Sequence, residues 1–183
     1  FKTGNRIFEG NKLRLEDKDI LIMEGIHALN PEMTSAVDDS RIFRVYVSAL
    51  TSLNIDENNN MSTSDNRLLR RMVRDNRVRG ITPEETIMRW NSVRRGESKN
   101  IFPFQENADA LFNSALIFEL PMLKYYAEPL LRRIAPNSPA YTEAVRLLKF
   151  LDYIVELQPS EIAAIPPTSI MREFIGGQTL TRD

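Results

Sequence analysis

Asp19-Ile20-Leu21-Ile22-Met23-Glu24-Gly25 encloses a run of four apolar residues between an acid and an acid–glycine pair. The run is too short for a helix and is continuous rather than alternating. That pattern suits a central strand of a parallel sheet covered on both faces. Downstream, Ile42 to Val47 (Ile-Phe-Arg-Val-Tyr-Val) reads as a second strand, rich in β-branched and aromatic residues. Ala115 to Phe118 reads as a third. Upstream, Arg6-Ile7-Phe8 and Lys12-Leu13-Arg14-Leu15 flank Glu9-Gly10-Asn11 as a β-hairpin. Helical patterns separate and follow these strands, so the expected fold class is α/β, with a parallel sheet that is incomplete within the chain.

The helical punctuation is local and specific. Asn30-Pro31 supplies an N-cap and a first helical residue for a short helix to about Val37. Leu53 to Ser64, with Asn58-Asn59-Asn60 at its centre, reads as a long mobile loop. A helix is expected from about Asp65 to Arg77, closing near Gly80. Thr82-Pro83-Glu84-Glu85 combines a capping box with a proline at the first helical position, opening a helix toward Arg94 that Gly96 ends. Pro121 starts a helix to about Ile134. Ser138-Pro139 opens another through Tyr153, with Val145, Leu147, Leu148 and Leu151 as its apolar positions. A last short helix stops at Gly176-Gly177. No repeat and no linker divides the 183 residues.

Composition excludes several classes of function. Lysine and arginine total 24 against 25 acids, so no global field draws the chain to nucleic acid or to an anionic membrane, and anion binding must be local. There is no cysteine, hence no disulfide or thiolate metal site, and His27 is the one histidine, too few for a zinc cluster. No apolar run approaches the roughly 18–20 residues of a membrane helix. Nor does the opening Phe1-Lys2-Thr3-Gly4 stretch resemble a signal peptide. The expected location is the cytoplasm, and the lack of an initiator methionine points to a chain that begins inside a longer protein.

Arg67, Arg70, Arg71, Arg74, Arg77 and Arg79 fall within thirteen residues. At 3.6 residues per turn all but the last share an arc of roughly 120°, with Leu68, Leu69, Met72 and Val73 opposite. Like charges at this spacing repel by a few tenths of a kcal/mol per pair. Only Asp65 and Asp75 sit nearby in sequence to offset them. A polyphosphate would offset the repulsion through guanidinium contacts. A solvated face paired with distant acids explains the pattern equally well. Glu24, at the C-terminal end of its strand, points to the crevice where open α/β sheets bind ligands and could hold magnesium there, although a surface glutamate is the commoner outcome. Trp90, Phe102, Phe104, Phe112, Phe118, Tyr125 and Tyr126 read as core and interface. There is no G-x-x-x-x-G-K-[ST], no readable nucleophile system and no zinc signature.

Two stretches together resemble the uridine kinase and phosphoribulokinase family of P-loop kinases: Asp19 to Ile26, and Asp65-Asn66-Arg67-Leu68-Leu69-Arg70-Arg71-Met72-Val73-Arg74-Asp75 followed by Arg79-Gly80. Phe1 to Gly4, Gly25 to Pro31, Ile101 to Glu106 and Phe174 to Gly177 look like the bacterial uridine-kinase-related branch. In that branch a region similar to the N-terminal part of threonyl-tRNA synthetase often precedes the kinase domain. The resemblance spans the chain and implies a partial P-loop kinase fold. The chain would be the C-terminal portion of one domain, with an arginine-rich lid at about 64–96 and a helical part at about 120–177. It implies ATP and Mg2+ as cofactors, Glu24 as a magnesium-site acid, and Arg71, Arg74 and Arg79 as lid arginines that grip ATP phosphates and stabilise charge on the transferred phosphoryl. It also implies that the P-loop and the catalytic aspartate lie upstream, so that the 183 residues alone are inactive.

This chain departs from the uridine kinase pattern at Ile81, where an arginine usually follows Arg79-Gly80, and at Arg89, where a glutamine is expected. The Leu53 to Ser64 segment is also longer. These departures point away from uridine itself while leaving phosphoryl transfer to a hydroxyl of a nucleoside or similar small molecule. The alternative is a non-catalytic regulatory or RNA-associated protein that retains the kinase fold, and a third reading is a scaffold or dimerisation module. A homo-oligomer stays open. The neutral charge balance and the lack of interleaved aromatics argue against nucleic acid.

Overall fold

The computed structural model describes residues 13–50 and 61–179. Two parallel strands, β1 (Val45–Ser48) and β2 (Ala110–Asn113), pair in register from Val45 opposite Ala110 to Ser48 opposite Asn113. Among the described residues six α-helices accompany them: α1 (Thr63–Arg79), α2 (Pro83–Asn100), α3 (Glu119–Leu131), α4 (Tyr141–Leu151), α5 (Pro159–Ala164) and α6 (Met171–Ile175). The α/β class, the parallel pairing and the flanking helices are as the sequence implied.

Local signals explain where α1 and α2 lie. The Ser62 side chain accepts the Asp65 N–H at 3.0 Å, and Gly80 closes α1 in the left-handed region at φ 64°. At α2, Thr82 Oγ1 accepts the Glu85 N–H at 3.2 Å while Glu85 Oε2 accepts the Thr82 N–H at 3.0 Å. Those bonds hold the Glu85 carboxyl below its ordinary range, chiefly through the Thr82 backbone N–H. A carboxyl depressed in the fold stabilises it above the unfolded value, near 4.5, and that contribution fades as pH falls through the folded value. The urea midpoint of the wild-type chain is therefore expected to drop more than that of Glu85→Gln between about pH 5 and about pH 3. Parallel curves would mean that the box adds nothing.

The core forms where the apolar side of α1 meets α3, α4 and α6. Leu68, Leu69 and Met72 are fully buried there, with Leu120, Leu123, Leu147, Leu151 and Met171. The opposition of leucines and arginines around α1 therefore holds for the apolar side. Trp90 of α2 closes the arrangement, donating from Nε1 to Ser64 Oγ at 3.3 Å.

Several expected elements differ. Ile20 to Met23 forms no ladder with any described residue, and Ile20 and Ile22 are 88% and 87% exposed. A buried parallel strand needs a neighbour, and among the described residues β1 and β2 pair only with each other. The third strand is β2, ahead of Ala115 to Phe118, which instead lead into α3. Its position is set by side-chain clamps: the Asp109 carboxylate accepts the Arg44 N–H at 2.7 Å, and Asn113 Oδ1 accepts the Leu50 N–H at 2.9 Å. Gly96 does not end α2, which runs one more turn to Asn100 while Glu97 is held by Arg67. Pro121 lies within the first turn of α3 rather than opening it, where a missing N–H costs no hydrogen bond. Asn30-Pro31 opens one 3-10 turn, Pro31–Thr34, rather than a helix reaching Val37. The expected hairpin lies mostly outside the described residues, and Leu13 to Leu15 show no strand. Most of the Leu53 to Ser64 loop also lies outside them.

Candidate functional site

One cleft of about 630 Å³ opens between the Ile22–Ile26 segment, β1, the arginine side of α1, one side of α2 and the α6 segment. Glu24, Arg67, Arg70, Arg71, Arg74 and Glu173 all line it. Glu24, Arg71 and Arg74 thus line the same cleft although 47 and 50 positions separate Glu24 from the two arginines. Arg79 is not among its lining residues. It lies at the C-terminal end of α1, half exposed, with Nη1 3.0 Å from Asp75 Oδ1. Glu24 and His27 are exposed.

Each arginine of α1 has a partner inside the molecule. Arg67 Nη2 meets Glu97 Oε1 at 2.5 Å. Arg70 is buried, donates from Nε and Nη2 to the two oxygens of buried Glu119, and lies 5.2 Å from the centre of the Phe174 ring. Arg71 Nε and Arg74 Nε reach opposite oxygens of Asp75 at 3.2 and 3.0 Å. Arg74 Nη1 also faces Glu173 Oε1 at 3.7 Å. Arg77 donates to the Phe174 and Glu173 carbonyls at 3.0 and 2.8 Å. Asp65, a nearby acid in sequence, serves Arg146 of α4 instead, at 2.6 Å.

These pairings identify charge partners of α1 that the sequence does not flag. Glu97, Glu119 and Glu173 come from α2, α3 and α6, and nothing local marks them. The one available hint is arithmetic, since a helix with so many arginines and one buried acid, Asp75, must find counter-charges elsewhere. Even after this neutralisation the guanidiniums outnumber the carboxylates around α1, and Arg77 is met by carbonyls. The surplus comes from Arg77 and Arg79, outside the cleft lining; in the cleft wall Arg67, Arg71 and Arg74 are partly exposed but paired with Glu97, Asp75 and Glu173, so a multivalent anion has to compete with those acids for them.

For a metal, the donor set is sparse. No cluster of three or more metal-ligating side chains exists among the described residues. Of the carboxylates that line the cleft, Glu97 and Glu173 face arginines, so a metal role falls to Glu24, which fits a cation that brings most of its ligands with it, as Mg2+ does with water and phosphate oxygens. A protein cage of the calcium type does not fit.

The phosphoribulokinase / uridine kinase family model matches residues 1–117. The matched stretch takes in the Ile20–Gly25 run, both strands, α1 and α2, and stops before α3. Comparison with curated proteins and with solved structures gave no match.

Proposed function

This chain belongs to the phosphoribulokinase / uridine kinase family of kinases, and from that premise we propose that it forms part of an ATP- and magnesium-dependent phosphotransferase acting on a hydroxyl of a nucleoside or similar small molecule. One observation carries the reading: a single cleft unites an acid at the end of an apolar segment, Glu24, with the cationic side of α1. Arg71 and Arg74 would donate hydrogen bonds to phosphate oxygens and hold the transferred group against developing charge. A phosphate that draws them from Asp75 leaves Arg79 as that carboxylate's remaining partner, so the buried acid does not become an unpaired charge. Glu24 would hold magnesium, which supplies charge neutralisation between phosphate oxygens when bound. In this reading the loop that cradles the phosphates, for which the sequence has no G-x-x-x-x-G-K-[ST], comes from residues outside these 183. Ile81 and Arg89 favour an acceptor other than uridine.

A second reading has one observation in its favour. Because every α1 arginine already has an internal partner, the arginines could be purely structural in a protein that keeps the fold without catalysis.

Nucleoside-dependent ADP release by the full-length protein tests the proposal. Glu24→Gln is expected to lower turnover tenfold or more, on the order of the loss of one charged contact, while nucleotide affinity changes little. Wild-type kcat with an unchanged magnesium requirement would make Glu24 a surface acid and remove the metal role.

No helix among the described residues is long and apolar enough to cross a membrane.

A further inference from the structure

Asp75 is the acid around which the arginines of α1 are arranged. It is 1% exposed, yet three guanidiniums of its own helix converge on it, from Arg71, Arg74 and Arg79. Arg71 and Arg79 lie four positions to either side, the spacing that brings helical side chains together. Oδ1 accepts from Arg74 Nε and from Arg79 Nη1, both at 3.0 Å. Oδ2 takes no hydrogen bond among the described residues and faces Arg71 Nε at 3.2 Å. The two arginines that line the cleft are thus held at Nε, whereas Arg79, outside the lining, is held by a terminal nitrogen. No terminal nitrogen of Arg71 or Arg74 donates a hydrogen bond to a described residue, although Glu173 Oε1 stands 3.7 Å from Arg74 Nη1. A guanidinium has five N–H donors in a fixed plane, so a carboxylate at Nε leaves the two terminal groups for another acceptor.

We propose that Asp75 is a positioning residue of the cleft: it fixes Arg71 and Arg74 by Nε so that their terminal nitrogens are ordered for phosphate oxygens, while Arg79 balances its charge from outside. This rests on the reading above that the cleft receives phosphate. Acid and ligand then use different nitrogens, and they compete through charge rather than for the same hydrogens. A carboxylate beside an anion site weakens binding by its charge. It strengthens binding by ordering, in advance, two long side chains whose immobilisation would otherwise be charged against the ligand. The two effects have opposite signs, which makes the role measurable.

Calorimetric titration of the whole 183-residue chain with inorganic tripolyphosphate tests the proposal, with circular dichroism confirming that each variant is folded. Asp75→Asn is expected to bind about fivefold more weakly than wild type, the ordering of two arginines outweighing the loss of one negative charge. Charge alone predicts tighter binding, because the variant is one unit more positive. Removing a buried acid also weakens the fold. Asp75→Asn/Arg79→Met, compared with Arg79→Met, therefore repeats the test with one cation removed alongside the acid, outside the cleft lining. Arg71→Met and Arg74→Met should each weaken binding. The effect of Asp75→Asn should shrink in an Arg71→Met background, where one of the two side chains it orders is gone. Equal or tighter binding by the folded Asp75 variants, with the arginine variants weakened, would overturn the positioning role and leave the phosphate reading standing. An undiminished loss in the Arg71→Met background would overturn it too, since Asp75 would then act through the fold at large. Absence of binding by wild type, or binding indifferent to both arginines, would overturn both.

Discussion

Glu119→Ala is expected to destabilise the chain by about 3–5 kcal/mol, the range found when one partner of a buried ion pair is removed. Glu119 is 1% exposed at the first position of α3, and both its oxygens face the guanidinium of Arg70. One of those oxygens also accepts the Leu116 N–H at 3.3 Å. Without the carboxylate, Arg70 stays in the core with the Phe174 ring as its remaining neighbour of note, a contact worth far less than a charge partner. Against a total stability of about 5–15 kcal/mol, that loss takes away about a fifth or more. The double variant Arg70→Met/Glu119→Leu should recover most of it, because no charge is then left buried. Urea unfolding of both variants, at matched m-values, checks the pair. A single-variant loss below about 1 kcal/mol would mean that Arg70 reaches water, contrary to its burial.

The second large effect is kinetic. Arg74→Met is expected to reduce turnover of the full-length protein about tenfold to a hundredfold, since a charge-assisted phosphate contact contributes about 1.5–3 kcal/mol. Stability should change much less. Arg74 gives up partly exposed contacts to Asp75 and Glu173, while Asp75 keeps Arg71 and Arg79. Its departure also relieves repulsion from Arg70, Arg71 and Arg77, one turn away on the same helix. A net change within about 1 kcal/mol follows. If the arginines are structural, the same variant melts clearly lower with kinetics intact. Measuring both quantities on one protein decides between phosphate grip and scaffold.

What could be read without a structure follows from interactions of short range. Capping bonds and helical periodicity act over three or four residues, so Gly80 and the Thr82–Glu85 box mark the end of α1 and the start of α2 from sequence alone, whereas the Ser62 cap starts α1 at Thr63, inside the stretch read as a loop. The apolar side of α1 was legible for the same reason, whereas the composition of a buried parallel strand was read at Ile20 to Met23, which pairs with no described residue, and β2 lies ahead of the Ala115 to Phe118 stretch expected to form a strand. The family was legible only as a resemblance, carried by Asp19 to Ile26 and by Asp65 to Asp75 with Arg79-Gly80, and the family model matches residues 1–117.

Tertiary structure decided what depends on distant partners. Gly96 is a helix stop by propensity, yet α2 continues because Glu97, a residue later, binds Arg67 thirty positions away. Ile20 to Met23 has the composition of a strand but no ladder among the described residues, since a strand exists only with a neighbour. The state of the arginines was decided most completely by the fold. Arg70 finds Glu119 across 49 positions, and Arg77 finds the Phe174 carbonyl across 97. A charge's partner is chosen by proximity in space, and helix periodicity carries no information about which acid another helix will bring to it. So the sequence showed that α1 carries a cationic side, while packing of α2, α3 and α6 determined how much of that charge remains for a ligand.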